Sequence, residues 1–204
     1  MEKRAETKYP IVELLQNRWS PRAFSERPIE PEKLRSILEA ARWAPSSFND
    51  QPWYFLVAMR EDREQFEKML SCLVEGNAAW AKNAPVLMLG CARLVFEKSG
   101  KPNRHALYDL GQAIAHLTVQ ASSLGIYLHQ MAGIYPDKAR EAYGVPEGFE
   151  AVTGISMGYQ GDPSRLPDEL REREVGPHSP RKPFESFVFS GHWGEKSPLF
   201  KGES

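Results

Sequence analysis

The chain is expected to fold as a sheet covered by helices, a mixed α/β or α+β architecture, and three observations carry that expectation. Short apolar runs with aromatic and β-branched members recur along the chain. Segments with apolar residues at helical spacing separate those runs. The 204 residues, 41% of them hydrophobic and 26% charged, suit one globular domain over 1–204. At this length a folded monomer buries roughly 70% of the surface its unfolded chain exposes, enough for a core without disulfide or metal staples.

Ile11, Val12, Leu14 and Leu15 indicate a short helix after Pro10. Leu34, Ile37, Leu38 and Ala41 fall at i, i+3, i+4 and i+7 behind Pro31, which predicts an amphipathic helix ending near Pro45. Trp53 to Met59 reads as a buried strand, Arg63 to Leu73 as a helix, and Pro85 to Ala92 as a second strand. Leu107, Leu110, Ile114, Leu117, Ala121 and Leu124 alternate steps of three and four, an apolar stripe on a long helix that needs a long partner. Gly125 stops that helix, Ile126 to Leu128 begins another extended segment, and Pro136 to Tyr143 reads as a short helix. Ala151 to Gly158 and Phe184 to Phe189 are the last expected strands. Between them, Tyr159 to Pro183 carries prolines and charges with almost no hydrophobic periodicity, too long for an ordinary connection. Such a segment is either mobile or wrapped over something such as a second subunit.

The charges nearly cancel, 26 Lys and Arg against 27 Asp and Glu, which argues against nucleic acid held by bulk electrostatics and leaves room for a small anionic ligand. Cys72 and Cys91 sit in apolar surroundings, so buried thiols in a reduced, cytoplasmic setting are expected instead of a disulfide framework. Met1-Glu2-Lys3-Arg4 lacks a following apolar signal core, and no stretch approaches the roughly 18 apolar residues of a membrane span. A soluble protein without a membrane partner is expected. The histidines show no HxxxH or Cys-x-x-Cys companion, so no metal site is expected. Gly158-Tyr159-Gln160-Gly161 lacks the strand-turn-helix context of a dinucleotide fold, and no GxxxxGK[ST] loop or GxSxG elbow is present.

Two motifs remain. Arg18-Trp19-Ser20-Pro21-Arg22 places two guanidinium groups and a hydroxyl beside a proline-fixed turn, which fits either phosphate oxygens or a solvated turn. Ala44-Pro45-Ser46-Ser47-Phe48-Asn49-Asp50-Gln51-Pro52-Trp53 is a stiff helix-to-strand connection dense in hydroxyls and amides. Asn49 and Gln51 each carry a donor and an acceptor, suited to the edge of a planar heteroaromatic ring, and the same residues also suit a capped turn.

The string Arg-x-Ser-x-Arg followed by Ala-x-x-Ala-Pro-Ser-x-x-Asn-x-Gln-Pro-Trp resembles the FMN-dependent nitroreductase family. The likeness continues through Gly76-Asn77-Ala78-Ala79-Trp80, the long helix up to Gly125, Gln130-Met131-Ala132-Gly133 and Arg181-Lys182-Pro183, over roughly residues 10 to 195. The resemblance implies an α+β nitroreductase-like fold, with a central mixed sheet flanked by helices in an intertwined homodimer whose FMN sites lie at the interface. On that resemblance the apolar stripe is the dimer core. Arg18, Trp19, Ser20 and Arg22 would bind FMN, with Arg181 and Lys182 closing on the phosphate and Asn77 addressing the pyrimidine side of the flavin. Pro45, Ser46, Ser47, Asn49 and Gln51 would come from the other subunit. Gln130, Met131, Ala132 and Gly133 would pass near N5 and O4, where the small Gly133 permits close approach.

Trp80, Ala132 and Ser179 stand where certain relatives carry lysine, an acidic residue and a basic residue respectively, which shifts phosphate duty to Arg181 and leaves Trp80 to packing. The implied activity is an FMN oxidoreductase reduced by NAD(P)H and oxidised by a nitroaromatic, quinone or similar acceptor. The alternatives are a specialised flavin enzyme of the same family, such as a dehalogenase or a flavin-consuming enzyme, and a non-catalytic FMN-binding protein.

Overall fold

Four strands and seven α-helices follow one another through residues 3–200, the part of the chain that the computed structural model describes. Met1 and Glu2, part of the charged start discussed above, lie outside the described residues, as do positions 201–204 of the single-domain reading. Helix α1 is Glu13–Gln16 and α2 is Pro31–Arg42, whose proline occupies the first turn, where its missing N–H costs nothing. Strand β1 (Trp53–Met59) leads to α3 (Arg63–Leu70), capped by the Asp62 side chain on the Gln65 N–H, and to α4 (Glu75–Ala81). Then come β2 (Val86–Arg93), α5 (Ala106–Ser123), β3 (Tyr127–Met131), α6 (Pro136–Tyr143), β4 (Phe149–Gly158) and α7 (Asp168–Val175).

The sheet runs β1-β2-β4-β3, and every ladder in it is antiparallel. The expectation of a mixed sheet is therefore corrected for the described residues: the apolar runs were legible as strands, but their direction rests on pairing between distant segments. The central β2 is buried along its whole length, and its side chains alternate between two cores. Leu87, Leu89 and Cys91 face a core with Phe66, Met69, Trp80 and Ala139, while Val86, Met88 and Ala92 face a core with α2 and α5. The register with β4 slips between Gly90 and Cys91, where Thr153 and Ala151 are the successive partners and Val152 is the extra residue. That bulge reverses the parity of β4, so Ala151 joins the first core and Ile155 and Met157 the second.

Leu110, Ile114, Leu117 and Ala121 of α5 pack on this chain's own sheet and on Ile29, Leu34 and Ile37, which corrects their expected place in a dimer core. The opposite side of α5 exposes Leu107, Tyr108, Gly111 and Ala115. Helix α3 ends before the expected Leu73 because Leu73 is drawn into a bridge with Ile134. Phe184 to Phe189 is not a strand: a 3-10 turn spans Phe184–Ser186, where the Ser186 hydroxyl donates to the Pro183 carbonyl at 2.8 Å, and Phe184 stacks on Phe200. The segment from Tyr159 to Pro183 is ordered by α7 and by a bridge between Phe24 and Gln160. Among the described residues no helix is long and apolar enough to cross a membrane.

Candidate functional site

Residues 18–23 lie beside β3 in neither helix nor sheet, bending at Arg22 after Pro21, with burial that alternates along the segment as in an extended chain. Trp19, Pro21 and Ala23 are buried, while Arg18, Ser20 and Arg22 are half-buried on the other side. The two-residue period of an extended chain is why the Arg-x-Ser-x-Arg spacing brings all three polar side chains to one wall. The buried set anchors the wall. Trp19 meets Tyr127 edge-on at 6.2 Å, and the Pro21 carbonyl accepts a hydrogen bond from His129 Nδ1 at 3.0 Å.

That wall bounds a cavity of about 640 Å³, lined also by Lys3, His178 and Arg181 and, from the acidic side, by Glu172 and Glu174. Burial pushes the Arg18 pKa down, and the nearby Arg181 cation pushes it further. Among the described residues Arg18, Arg22 and Arg181 form no ion pair with a carboxylate, although most other arginines do. Guanidinium groups gathered on one cavity with no carboxylate in direct ion-pair contact, beside the Ser20 hydroxyl, fit a phosphate monoester with its nearly two negative charges. Lys182 is exposed and does not line the cavity.

A second group lies where α4 meets the turn after β3. The Asn77 Nδ2 donates to the Gly133 carbonyl at 3.0 Å, and the Val74 N–H donates to the same oxygen at 3.1 Å. A Cβ at Gly133 would stand 2.6 Å from Asn77 Nδ2 and 2.7 Å from Val74 Cγ2. The small residue therefore serves its own neighbours first. Gln130 and Ala132 are exposed on the same edge, whereas Met131 is only 3% exposed, with its side chain in the core and its carbonyl accepting from the Thr153 hydroxyl at 3.1 Å.

The third group, residues 44–53, belongs to the opposite edge of the sheet, ahead of β1. Phe48, Asn49 and Gln51 all adopt positive φ, at 54°, 54° and 48°, a conformation that costs a non-glycine residue of order 1 kcal/mol or more and persists only when the surroundings hold it. The restraints are visible. The buried Asp109 of α5 accepts from the Ser47 N–H at 3.0 Å, and the Ser46 hydroxyl accepts from the Gln51 N–H at 3.0 Å. Asp50 pairs with the buried Arg93 and accepts from the Glu97 N–H at 3.0 Å. Held this way, Pro45, Asn49 and Gln51 are exposed, and Phe48 is 92% exposed, edge-on to Phe96 at 5.8 Å. Three inter-strand steps, roughly 14 Å, separate this edge from the arginine cavity. One chain does not bring the two motifs together.

Sequence reasoning passed over Glu174, Asp109, Lys3 and His178. Asp109 carries a weak signal, an acid in the first turn of a helix; the others are recognised only by what they touch. His129 is packed against Trp80, ring centres 4.6 Å apart, and its pKa falls to about 4, first through burial and second through the Arg22 cation. Because the Pro21 carbonyl only accepts, Nδ1 holds the proton of a neutral ring.

This predicts acid sensitivity. The folded pKa lies below the ordinary 6.5, so nothing is lost above that pH, and stability falls as pH drops from about 6.5 to about 4, where the unfolded chain binds a proton and the folded chain does not. The contribution at stake is roughly 3 kcal/mol. Urea unfolding of wild type and His129→Gln at about pH 7 and about pH 4.5 checks it: the acid loss should be smaller in the variant by about that amount, and equal losses would remove His129 from the account.

Known proteins add an independent line. The model of the nitroreductase family matches residues 15–159. A crystal structure described as an oxidoreductase containing FMN superposes with a TM-score of 0.87 and 41% identity, covering 94% of this chain and 96% of that one. A protein of Archaeoglobus fulgidus assigned to the NADH dehydrogenase/NAD(P)H nitroreductases is 32% identical over 156 residues, 74% of this chain and 86% of its own. An FMN reductase [NAD(P)H] of Bacillus subtilis is 27% identical over 180 residues, 78% of this chain and 71% of its own.

Proposed function

This chain belongs to the nitroreductase family, and we propose that it is an NAD(P)H-dependent FMN oxidoreductase that works as a homodimer. The observation that carries the cofactor is the convergence of Arg18, Arg22 and Arg181 on one cavity with no carboxylate partner among the described residues. FMN held there would supply the redox chemistry, hydride acceptance from NAD(P)H at N5 and electron transfer to a nitroaromatic, quinone or similar acceptor in a ping-pong sequence.

The protein's own task is to bind and orient. Arg18, Ser20, Arg22 and Arg181 would hold the phosphate, with Trp19 backing them and Lys182 adding charge from outside the cavity. Asn77 and the turn Gln130-Met131-Ala132-Gly133 would meet the ring edge, largely through backbone groups. No side chain is asked to act as nucleophile.

The loop Pro45, Ser46, Ser47, Asn49 and Gln51 would complete the site of the other subunit. Its rigid, outward presentation at the far edge supports that reading, and so does the exposed apolar surface around α1 and α5: Leu14 and Leu15 on the first with Ile11 and Val12 just before it, and Leu107 and Tyr108 on the second. A single domain over 1–204 and a cytoplasmic setting belong to the same reading. The free, buried Cys72 and Cys91 support the latter, and burial pushes the Cys91 thiol up to about 11.

The visible spectrum of the purified protein before and after anaerobic NAD(P)H, with the released chromophore identified by mass, tests the proposal. FMN that bleaches is expected. A colourless protein that takes up no added FMN would overturn it, and FMN that NAD(P)H never bleaches would leave a binding protein and not an enzyme.

Leu107→Glu tests the assembly. A charge on the exposed side of α5 should turn a dimer into monomers on sedimentation and weaken FMN retention together, while the helix itself stays folded because its buried stripe is untouched. Monomers in the wild type would remove the homodimer.

A further inference from the structure

Helix α7 is nearly all charged, and its buried residue is a glutamate. A helix that docks normally does so through an apolar stripe, and α7 offers only Leu170, half-buried against the core one turn before Glu174. Glu174, 1% exposed, instead sends its carboxylate to two consecutive backbone amides: Arg22 N–H donates to Oε1 at 2.9 Å and Oε2 at 3.0 Å, and Ala23 N–H donates to Oε1 at 2.9 Å. Burying a carboxylate is unfavourable unless such donors replace water. Here they belong to the segment that carries Arg18, Ser20 and Arg22.

The other end of the contact is fastened too. Lys3 Nζ donates to the carbonyls of Arg173 and Glu174 at 3.4 and 3.2 Å, satisfying the last turn of α7, and lies over the Trp19 ring at 4.9 Å. His178 Nε2 donates to the Lys3 carbonyl at 2.9 Å, three residues before Arg181 in the chain. Glu174 thus links the two segments that deliver the cavity's guanidinium groups. Its negative charge is taken up by amides and not by those guanidinium groups, which are left to an outside anion.

We propose that Glu174 is a positioning residue of the cavity, setting the separation of Arg22 from Arg181 and thereby the preference for a phosphorylated flavin over the same flavin without phosphate. This rests on the FMN reading above and deepens it. A general packing role would weaken both ligands alike; a positioning role bears on the phosphate alone.

The test compares FMN and riboflavin binding, by quenching of flavin fluorescence, to flavin-free wild type and Glu174→Gln. The amide keeps the shape and the oxygen that both N–H groups share, but puts an NH2 donor where Oε2 accepts from the Arg22 N–H, and removes the negative charge, so FMN affinity should fall about tenfold or more. Riboflavin affinity should change by less than about twofold. Equal falls for both flavins, or no fall for FMN, would overturn the proposal.

Glu174→Asp guards against a variant that fails to fold: it keeps the charge, shortens the reach, and should give a smaller loss of the same FMN-to-riboflavin ratio. In the wild type without flavin the Arg22 and Ala23 amides should be protected from hydrogen exchange, and rapid exchange there would overturn the contact itself. A wild type that binds neither flavin sinks the FMN reading as well; a wild type that binds FMN beside a variant with an unchanged ratio sinks only the role of Glu174.

Discussion

Arg18→Ala is expected to weaken FMN binding by about 10- to 100-fold, the loss of one charge-assisted contact to phosphate in a half-buried site. The same substitution should leave the flavin-free protein at least as stable as wild type, because Arg18 is held among groups that disfavour its charge: burial first, then the Arg181 cation. Binding and stability therefore move in opposite directions, a pattern expected of groups kept for a ligand and not for the fold. Arg181→Ala should behave likewise but more mildly, since its side chain is exposed and its bond to the Ser179 carbonyl at 2.9 Å is local. Fluorescence titration with FMN and thermal unfolding without it give the two numbers. FMN affinity unchanged in both variants would remove the phosphate from this cavity.

Trp80→Ala is expected to cost about 3–5 kcal/mol, a large part of the stability of a domain this size. The indole is 2% exposed, lies nearly parallel to Phe24 at 6.4 Å, tilts against His129 at 4.6 Å, and has the Arg22 guanidinium over its ring at 5.8 Å. Its loss opens space beside the imidazole. The His129 pKa should then climb from about 4 back toward 6.5, a change that proton NMR follows ring by ring. Urea unfolding measures the first effect. A stable variant whose His129 still titrates near 4 would mean that burial by other neighbours governs the ring.

Elements with local punctuation were readable from the chain. Pro31 and Pro136 open helices where the sequence places them, and Trp53–Met59 matches its apolar run because both ends meet turns. Helix α4 was hidden by Gly76 and Asn77, poor helix formers at its start, and forms because Trp80 and Ala81 are buried. The strand expected at Phe184 failed because apolar content alone does not supply a partner ladder: Phe184 packs on Tyr9, Phe187 and Phe200, and Phe189 on Trp193 instead. At the candidate site, the spacing of Arg18, Ser20 and Arg22 was informative because an extended chain turns alternate residues to one side. Glu174 was not legible: its partners lie 151 and 152 residues away, and nothing beside it in sequence distinguishes it from the other acids of α7.

The two motifs at opposite edges of the sheet change how damage is inherited in an assembly of two chains. A chain lacking Arg18 and a chain lacking Asn49 are each defective in both sites of their own homodimer. Paired with one another in the proposed homodimer, they would concentrate both lesions in one site and leave the second made of intact residues from each. Mixed expression of two inactive alleles would then restore up to half of the activity per dimer, whereas a fold that built its whole site from one chain would offer no such rescue.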